Sequence, residues 1–173
     1  TSGDYSITGT YLNKAYKWGY FPEMNIYDID KLILRKRSEK IRIIWSGRFI
    51  NWKHPEAAVF LGEYLREKGY DFEINMIGTG DIFPKIQKMV KVKKLEDYVY
   101  LRGSMSPENV RDYMEKSNIF IFTSDRGEGW GVVLNEAMNS GCAVVASHSI
   151  GSVPYLVKPG ENGLVFISED WID

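Results

Sequence analysis

The stretch IFIFTSDRGEGWGVVLNEAMNSGCAVVAS, residues 119–147, decides the fold. It contains a short apolar run from Ile119 to Phe122, a glycine-rich loop, a helical segment from Val132 to Ser140 that Gly141 ends, and a second apolar run from Cys142 to Ala146. Neither apolar run alternates with polar residues, which is typical of strands covered on both faces. A strand, a helix and a strand in this order predict a parallel βαβ unit.

The same alternation extends along most of the chain. Further apolar runs predict strands at Ile41 to Trp45, Phe72 to Ile77, Tyr98 to Leu101 and Leu164 to Ile167. Helical segments are predicted at Pro55 to Lys68, at Phe83 to Leu95 and from Pro107, with Ser106 as its cap. Successive strands start about 20 to 31 residues apart. The sequence therefore predicts an α/β fold, a Rossmann-like parallel sheet with helices on both faces.

The composition excludes several classes of protein. The chain has 173 residues, a net charge of -1, 44% hydrophobic and 26% charged residues, so we expect one core that needs no disulfide or metal. A charge so close to zero argues against a nucleic-acid partner. The single cysteine fits a reducing compartment. Because no apolar run approaches the roughly 20 residues of a membrane span and no signal peptide is visible, we expect a cytoplasmic protein.

Residues 1–40 differ from the remainder of the sequence. They are rich in aromatic residues without a clear period from Tyr5 to Tyr20, and rich in basic residues from Lys31 to Lys40. We predict a connecting segment over residues 1–40 and a Rossmann-like domain over residues 41–173. The sequence stops shortly after a predicted strand, where another helix is expected, so we expect a piece of a larger protein, truncated at its carboxyl end.

The glycine-rich loop is the first candidate site, because ligands of open parallel sheets bind outside the carboxyl ends of the strands. Its glycines allow close approach of a ligand, and the N–H groups near Gly131, Val132 and Val133 are predicted to be free to bind a phosphate. Glu128 and Glu136 flank this helix start. Two carboxylates would repel a phosphate unless they accept hydrogen bonds from sugar hydroxyls. The alternative is two ordinary surface glutamates.

The loops after the other strands add further candidates. Arg48 and Lys53 follow Gly47 and could neutralise a diphosphate; the alternative is two solvated cations. The loop at Gly78 begins like a dinucleotide fingerprint but lacks its third glycine. The loop from Arg102 to Met105 could hold a base through backbone groups or be an ordinary turn.

Other features carry less information. The five lysines at positions 85 to 94 indicate a solvated face or attraction to anionic lipid headgroups. His54 and His148 are interpreted as structural. The sequence has no nucleophile elbow, no Walker loop and no clustered metal ligands, which excludes a serine hydrolase, a P-loop NTPase and a metalloenzyme.

Taken together, these motifs resemble the carboxyl-terminal domain of GT-B glycosyltransferases, in particular the retaining family 4, or group 1, transferases with an E-x7-E motif. The resemblance covers Ile41 to Ile167. It rests on Ser46-Gly47-Arg48-Phe49 with Lys53, Gly78-Thr79-Gly80, Leu101-Arg102-Gly103, the stretch from Glu128 to Ala146, and Gly160 to Leu164.

The resemblance implies a domain that binds a nucleotide-sugar donor. By analogy Arg48 and Lys53 hold the diphosphate, Glu128 accepts from hydroxyls of the transferred sugar, and Glu136 accepts from the ribose. We therefore predict Arg48, Lys53 and Glu128 as catalytic residues. The predicted donor-binding residues are Gly47, Gly78, Arg102, Gly103, Gly131, Val132, Val133 and Glu136.

The resemblance also implies hexosyl transfer with retained configuration to a glycan or glycolipid acceptor, without a cofactor or a metal. The acceptor-binding domain that precedes this one in the family is absent from the sequence, so we expect weak donor binding and little or no transfer. Ser152 and Tyr155 replace a glycine and an acid of the family pattern. We expect a cytoplasmic enzyme, in peripheral contact with the inner face of the membrane if the lysine-rich helix binds lipid.

Two alternative functions stay open. One is a GT-B-type sugar-nucleotide epimerase, although no suitable acid/base pair stands out in the sequence. The other is a non-catalytic module that binds a nucleotide.

Overall fold

A computed structural model describes residues 19–168, together with residues 7 and 9. Six strands form one sheet: β1 (Ile41–Ser46), β2 (Phe72–Ile77), β3 (Val99–Gly103), β4 (Ile119–Phe122), β5 (Ala143–Ser147) and β6 (Gly163–Phe166). Their order is β3-β2-β1-β4-β5-β6, and every neighbouring pair is parallel. The predicted α/β class and all six predicted strands are confirmed, with strand bounds within two residues of those expected.

Six helices lie among the described residues: α1 (Ile29–Lys36), α2 (Pro55–Glu67), α3 (Phe83–Val92), α4 (Pro107–Lys116), α5 (Val133–Asn139) and α6 (Val153–Leu156). The predicted helix from Phe83 ends at Val92 rather than Leu95, because Lys94 takes a left-handed conformation with φ 53° and the chain turns there. Ser106 accepts a hydrogen bond from the N–H of Asn109, as expected of a helix cap. The short helices α1 and α6 were not predicted.

Both faces of the sheet are covered, which explains the continuous apolar strands. In β1, Ile43 and Trp45 pack on one face with residues of α2 and α3. Ile44 between them packs on the other face with residues of α4, α5 and α6. Since successive side chains of a strand point to opposite faces, a strand between two helical layers has no polar positions to alternate.

The strand order reverses between β1 and β4. The chain runs outward from β1 to β2 and β3, returns to pair β4 with β1, and then runs outward on the other side. At such a switch point the loops that follow the two central strands leave in opposite directions and open a crevice at the carboxyl edge. The loops after Ser46 and Phe122 therefore lie side by side.

Helix α1 is fixed to the opposite, amino edge of the sheet. Leu32 is buried, and the ammonium group of Lys36 donates to the carbonyls of Met114, at 3.0 Å, and Ser117. The Sγ atom of Cys142 lies 3.9 Å from the same ammonium group. Burial lowers the pKa of Lys36 and raises the pKa of Cys142 to about 11.

Part of the predicted connecting segment thus packs on the domain as a helix. Most of residues 1–18, and residues 169–173 on which the expected truncation rests, lie outside the described part of the chain.

Candidate functional site

The loop after β1 is short and tightly anchored. The ring of Phe49 is fully buried and meets the rings of Trp45 and Phe83 edge-on at centroid distances of 4.8 and 4.9 Å. The N–H of Gly47 donates to the carbonyl of Ile77 at 3.0 Å. A 3-10 turn over Asn51–Lys53 follows. The backbone that carries Lys53 is therefore held in place by the core.

The loop after β4 is joined to the loop after β1 by buried hydrogen bonds. The hydroxyl of Thr123 donates to the carbonyl of Lys53 at 2.6 Å and accepts from the indole N–H of Trp45 at 2.9 Å. The N–H of Asp125 donates to the carbonyl of Trp52 at 2.9 Å. Although the loops are some 70 residues apart in sequence, they form one structural unit.

Lys53 and Glu128 meet where these loops touch. The ammonium group of Lys53 forms a salt bridge with Oε2 of Glu128, and the hydroxyl of Ser124 donates to the same oxygen at 3.1 Å. The side chains of Lys53 and Glu128 are only 13% and 12% exposed. Lys53 also lies over the ring of Trp52, 4.8 Å from its centroid. A cation and a carboxylate predicted for the site are thus direct neighbours.

Arg48 stands apart from this pair. It is exposed at the carboxyl end of β1. Within residues 19–168, no hydrogen bond or salt bridge engages its guanidinium group. Its five N–H donors are consequently accessible to a ligand.

Gly131 turns the chain into α5. Its φ of +73° is left-handed, and a Cβ atom there would lie 2.6 Å from the ring of Phe122, so only glycine fits. Val132 begins the helix without a side-chain hydrogen bond to cap it. Because the first N–H groups of a helix have no partner within the helix, the backbone from Gly131 to Val133 offers donors at the carboxyl edge.

Glu136 lies further along the same helix. It is partly buried and borders a cavity of about 450 Å³ between α4, α5 and the chain at residues 22–25. Its backbone carbonyl accepts from Arg111 at 2.8 Å. No hydrogen bond or salt bridge of its carboxylate is found with the residues that the structure describes.

The glycine at position 78 has a structural explanation. A Cβ atom on Gly78 would lie 1.9 Å from the carbonyl oxygen of Gly47, so glycine lets the loop after β2 pass against the loop after β1. The N–H of Gly78 donates to the carbonyl of Gly103 at 2.8 Å. The incomplete dinucleotide fingerprint therefore reflects contact between loops.

The side chain of Arg102 extends away from the strand ends. Its Nε donates to Oδ1 of Asn75, in the middle of β2, at 2.7 Å. Its guanidinium group lies 4.6 Å from the ring centroid of Tyr100 and 5.8 Å from that of Tyr113. No contact joins Arg102 to Lys53 or Glu128. Only the backbone of Arg102, and not its side chain, is therefore available at the carboxyl edge.

Sequence reasoning missed the role of His54 in this unit. Its ring lies between Glu56, with Nδ1 3.3 Å from Oε1, and Asp125, with Nε2 3.2 Å from Oδ2. The interpretation of His54 as structural names no partner for its ring. The only sequence signal was its position between Lys53 and Pro55, which does not reveal the carboxylate of Asp125.

The loop after β5 closes the other side of the glycine-rich loop. The N–H of Gly151 donates to the carbonyl of Gly129 at 2.9 Å. Tyr155, which replaces the acid of the family pattern, stacks on Trp130 at a centroid distance of 5.8 Å. An aromatic pair therefore includes the position at which the family pattern has an acid.

The described residues contain neither a group of metal ligands nor a membrane-spanning helix. In the range 19–168, no three His, Cys, Asp or Glu side chains are grouped in a way that could hold a metal ion. None of the helices described is long and apolar enough to cross a membrane.

Comparison with known proteins identifies the family. Residues 28–173 match the family described as glycosyl transferases group 1, and the chain belongs to this family. The amylovoran biosynthesis glycosyltransferase AmsK of Erwinia amylovora is 30% identical over 130 residues, which cover 72% of this chain and 32% of that protein. The chain spans between a fifth and a half of the length of the curated relatives it matches.

Solved structures share the fold. TarM of S. aureus superposes with a TM-score of 0.70 at 23% identity, over 78% of this chain and 27% of that one. The C-terminal domain of the group 1 glycosyl transferase LpcC of Francisella tularensis superposes with a TM-score of 0.66 at 20% identity, over 83% of this chain and 75% of that one. The described sheet therefore has the Rossmann-like fold of these structures, which include a carboxyl-terminal domain.

Proposed function

We propose that this chain is the donor-binding domain of a retaining, metal-independent glycosyltransferase, which moves a sugar from a nucleotide-sugar to a glycan or glycolipid acceptor. The observation that carries the proposal is the contact of Lys53 with Glu128 at the switch point between β1 and β4. A nucleotide-sugar is an anionic diphosphate joined to a polyhydroxylated ring. It requires cations and carboxylates side by side, and this edge of the sheet provides both.

Lys53 and Arg48 are proposed to hold the diphosphate. In the structure Glu128 neutralises Lys53, whereas Arg48 has no charged partner among the described side chains. A bound diphosphate can replace Glu128 as the partner of Lys53, which leaves that carboxylate to accept hydrogen bonds from the sugar hydroxyls. When the bond to the sugar breaks, negative charge develops on the diphosphate. The two cations and the amides from Gly131 to Val133 would stabilise that charge.

The nucleoside is proposed to lie between the ends of β3 and α5. Glu136 borders an open cavity and its carboxylate is not engaged by the described residues, which supports a role as acceptor for ribose hydroxyls. Contact with the base is assigned to backbone groups of Arg102 and Gly103, because the Arg102 side chain is held by Asn75. The solved TarM complex contains UDP, which supports a nucleoside diphosphate as the ligand class.

The acceptor is proposed to bind a separate domain, as the resemblance implies. This fits the small share of its relatives that the chain spans. AmsK is named for the synthesis of a polysaccharide, amylovoran, and its similarity supports a glycan or glycolipid precursor as acceptor.

We further propose that the enzyme works in the cytoplasm, in peripheral contact with the inner face of the membrane. Three lysines of α3 support this: Lys85, Lys88 and Lys91 are exposed and form no salt bridge within the described part of the chain. Each such cation is worth about 1 kcal/mol near an anionic lipid surface. We expect the chain to sediment with vesicles that contain phosphatidylglycerol and not with neutral vesicles. Equal recovery from both would contradict membrane contact.

Calorimetry tests the donor-binding function. The chain is titrated with UDP-, GDP- and ADP-sugars, and we expect saturable binding of at least one, weakened by Arg48→Ala. Glu67→Ala, on the outer end of α2, is the matched control and is expected to leave affinity unchanged. If none of the nucleotide-sugars binds saturably, the proposed function is wrong.

A further inference from the structure

We propose that His54 is a positioning residue, which holds Lys53 in the orientation that the donor diphosphate needs. The inference rests on the proposed function, since Lys53 is the group through which His54 would act. Nothing in the family resemblance assigns a role to this position.

The backbone of His54 is the first reason. Its φ of 47° and ψ of 53° place it in the left-handed region, which residues other than glycine seldom adopt. Among the described residues other than glycine, only Lys94 also has a positive φ. His54 ends the turn that carries Lys53 and precedes the first residue of α2. Its backbone conformation therefore determines the direction of that turn, and with it the position of Lys53, relative to α2. An unfavourable conformation at such a junction needs contacts that maintain it.

The ring of His54 supplies those contacts. Its two nitrogens lie 3.3 and 3.2 Å from carboxylate oxygens of Glu56 and Asp125, and the side chain is only 18% exposed. Each ring nitrogen thus lies within hydrogen-bonding reach of a carboxylate oxygen on a different segment. The ring links the start of α2 to the loop after β4.

The second carboxylate connects this ring to the ion pair. Asp125 accepts from the N–H of Glu128 through its backbone carbonyl at 3.1 Å, so its position influences that of Glu128. His54 is covalently next to Lys53. The ring therefore connects the backbone next to Lys53 with the backbone next to Glu128. This connection limits how far the two side chains can separate.

Glu56 shows that the arrangement depends on the histidine. Its other oxygen, Oε2, is buried and has no hydrogen-bond partner among the described residues. Without the ring, Glu56 and Asp125 would both lose a polar contact, and a partly buried carboxylate without a hydrogen-bond partner is unfavourable. We expect both to move toward water and to carry the loop of Lys53 with them.

Substitution by glycine distinguishes the contribution of the His54 ring from that of its backbone conformation. His54→Gly keeps the left-handed conformation without steric cost but removes the ring, and Lys94→Gly makes the same backbone change at the end of α3, away from the site. Both variants and the unmodified chain are titrated with UDP, GDP and ADP by calorimetry. We expect Lys94→Gly to bind like the unmodified chain and His54→Gly to bind about tenfold more weakly.

Two further variants distinguish positioning from a general effect on folding. His54→Asn tolerates the left-handed conformation and retains one side-chain donor, so we expect it to recover part of the affinity. If His54 acts through Lys53, the double variant Lys53→Ala/His54→Gly binds no more weakly than Lys53→Ala alone. Additive losses, or full affinity of His54→Gly, would overturn the inference and leave the donor-binding function intact. Failure of the unmodified chain to bind any of the three nucleotides would instead contradict the proposed function.

Discussion

Two partly buried lysines lie at opposite edges of the sheet and differ in what their ammonium groups contact. At the carboxyl edge Lys53 pairs with the carboxylate of Glu128, a side chain on a loop. At the amino edge Lys36 donates to the main-chain carbonyls of Met114 and Ser117, at the end of α4. A carboxylate on a loop can give up its place to a phosphate, whereas a carbonyl at a helix end cannot leave without unfolding. Similar burial therefore serves a ligand at one edge and stability at the other.

The largest effect is expected from Lys53→Ala. Removal of one charge-stabilising group from a transition state costs roughly 2 to 4 kcal/mol in comparable sites. We expect the transition-state stabilisation measured by kcat/KM for the nucleotide-sugar to fall by that amount in the protein that carries this domain. The melting temperature should also fall, because Glu128 loses its salt-bridge partner. Lys85→Ala serves as the control on a solvent-exposed helix face. An unchanged kcat/KM would mean that Lys53 is structural, as Lys36 is.

Lys36→Met is expected to give a different pattern. Methionine retains most of the aliphatic contact but leaves the carbonyls of Met114 and Ser117 without their donor, which costs about 2 kcal/mol of unfolding free energy. Urea denaturation measures this loss, and nucleotide affinity should stay the same. Lys31→Met, on the solvent side of α1 with an 81% exposed side chain, is the control. If Lys36→Met weakens nucleotide binding, the two edges are not independent.

The pH dependence of stability tests the burial of Cys142 at the amino edge. Burial raises the pKa of Cys142 from 9.0 to about 11, so the folded chain keeps the thiol proton where the unfolded chain loses it. This contribution is present below pH 9 and disappears as the pH rises through 11. We expect it to amount to roughly 2 to 3 kcal/mol, because one pKa unit corresponds to about 1.4 kcal/mol.

The comparison variant for this effect is Cys142→Ala, which cannot lose a thiol proton. Denaturation between pH 8 and 11 should show a steeper loss of stability for the unmodified chain than for the variant. Lys36, whose pKa burial lowers, contributes with the opposite sign in both proteins. Parallel pH profiles would show that burial of the thiol does not affect stability.

The smallest effect is expected from Glu128→Gln at the carboxyl edge. An amide cannot neutralise Lys53, so a nucleoside diphosphate without a sugar no longer competes with an internal carboxylate. We expect its affinity to rise by about 1 kcal/mol or less, while transfer of the sugar falls. Parallel calorimetric titrations of UDP, GDP and ADP measure the first effect. Weaker binding of every diphosphate would mean that Glu128 supports Lys53 rather than competing for it.

The sheet could be predicted from the sequence because its strands are covered on both faces. Ile43 and Ile44 are both buried, on opposite sides, and that produces the continuous apolar runs. Helix α1 gave no such signal. Only Leu32 of its eight residues is buried, and its anchor, the bond from Lys36 to Met114, spans 78 positions of sequence. A contact of that range has no local pattern.

The candidate site could be predicted in part. Glycines, cations and carboxylates placed after strands identified Arg48, Lys53 and Glu128, and the order of the strands places their loops at one edge. The sequence did not contain the direct pairing of Lys53 with Glu128, which depends on that order. It also did not reveal the left-handed backbone of His54, or the attraction of Tyr100 and Tyr113 that turns Arg102 along the sheet.

The burial of Cys142 provides a measurement that needs no engineered probe. It is the only cysteine of the chain, and it is 6% exposed beneath the docked end of α1. We expect a maleimide reagent to reach its sulfur only after α1 detaches or the domain opens. The rate of alkylation therefore reports how often α1 detaches from the domain in the native protein.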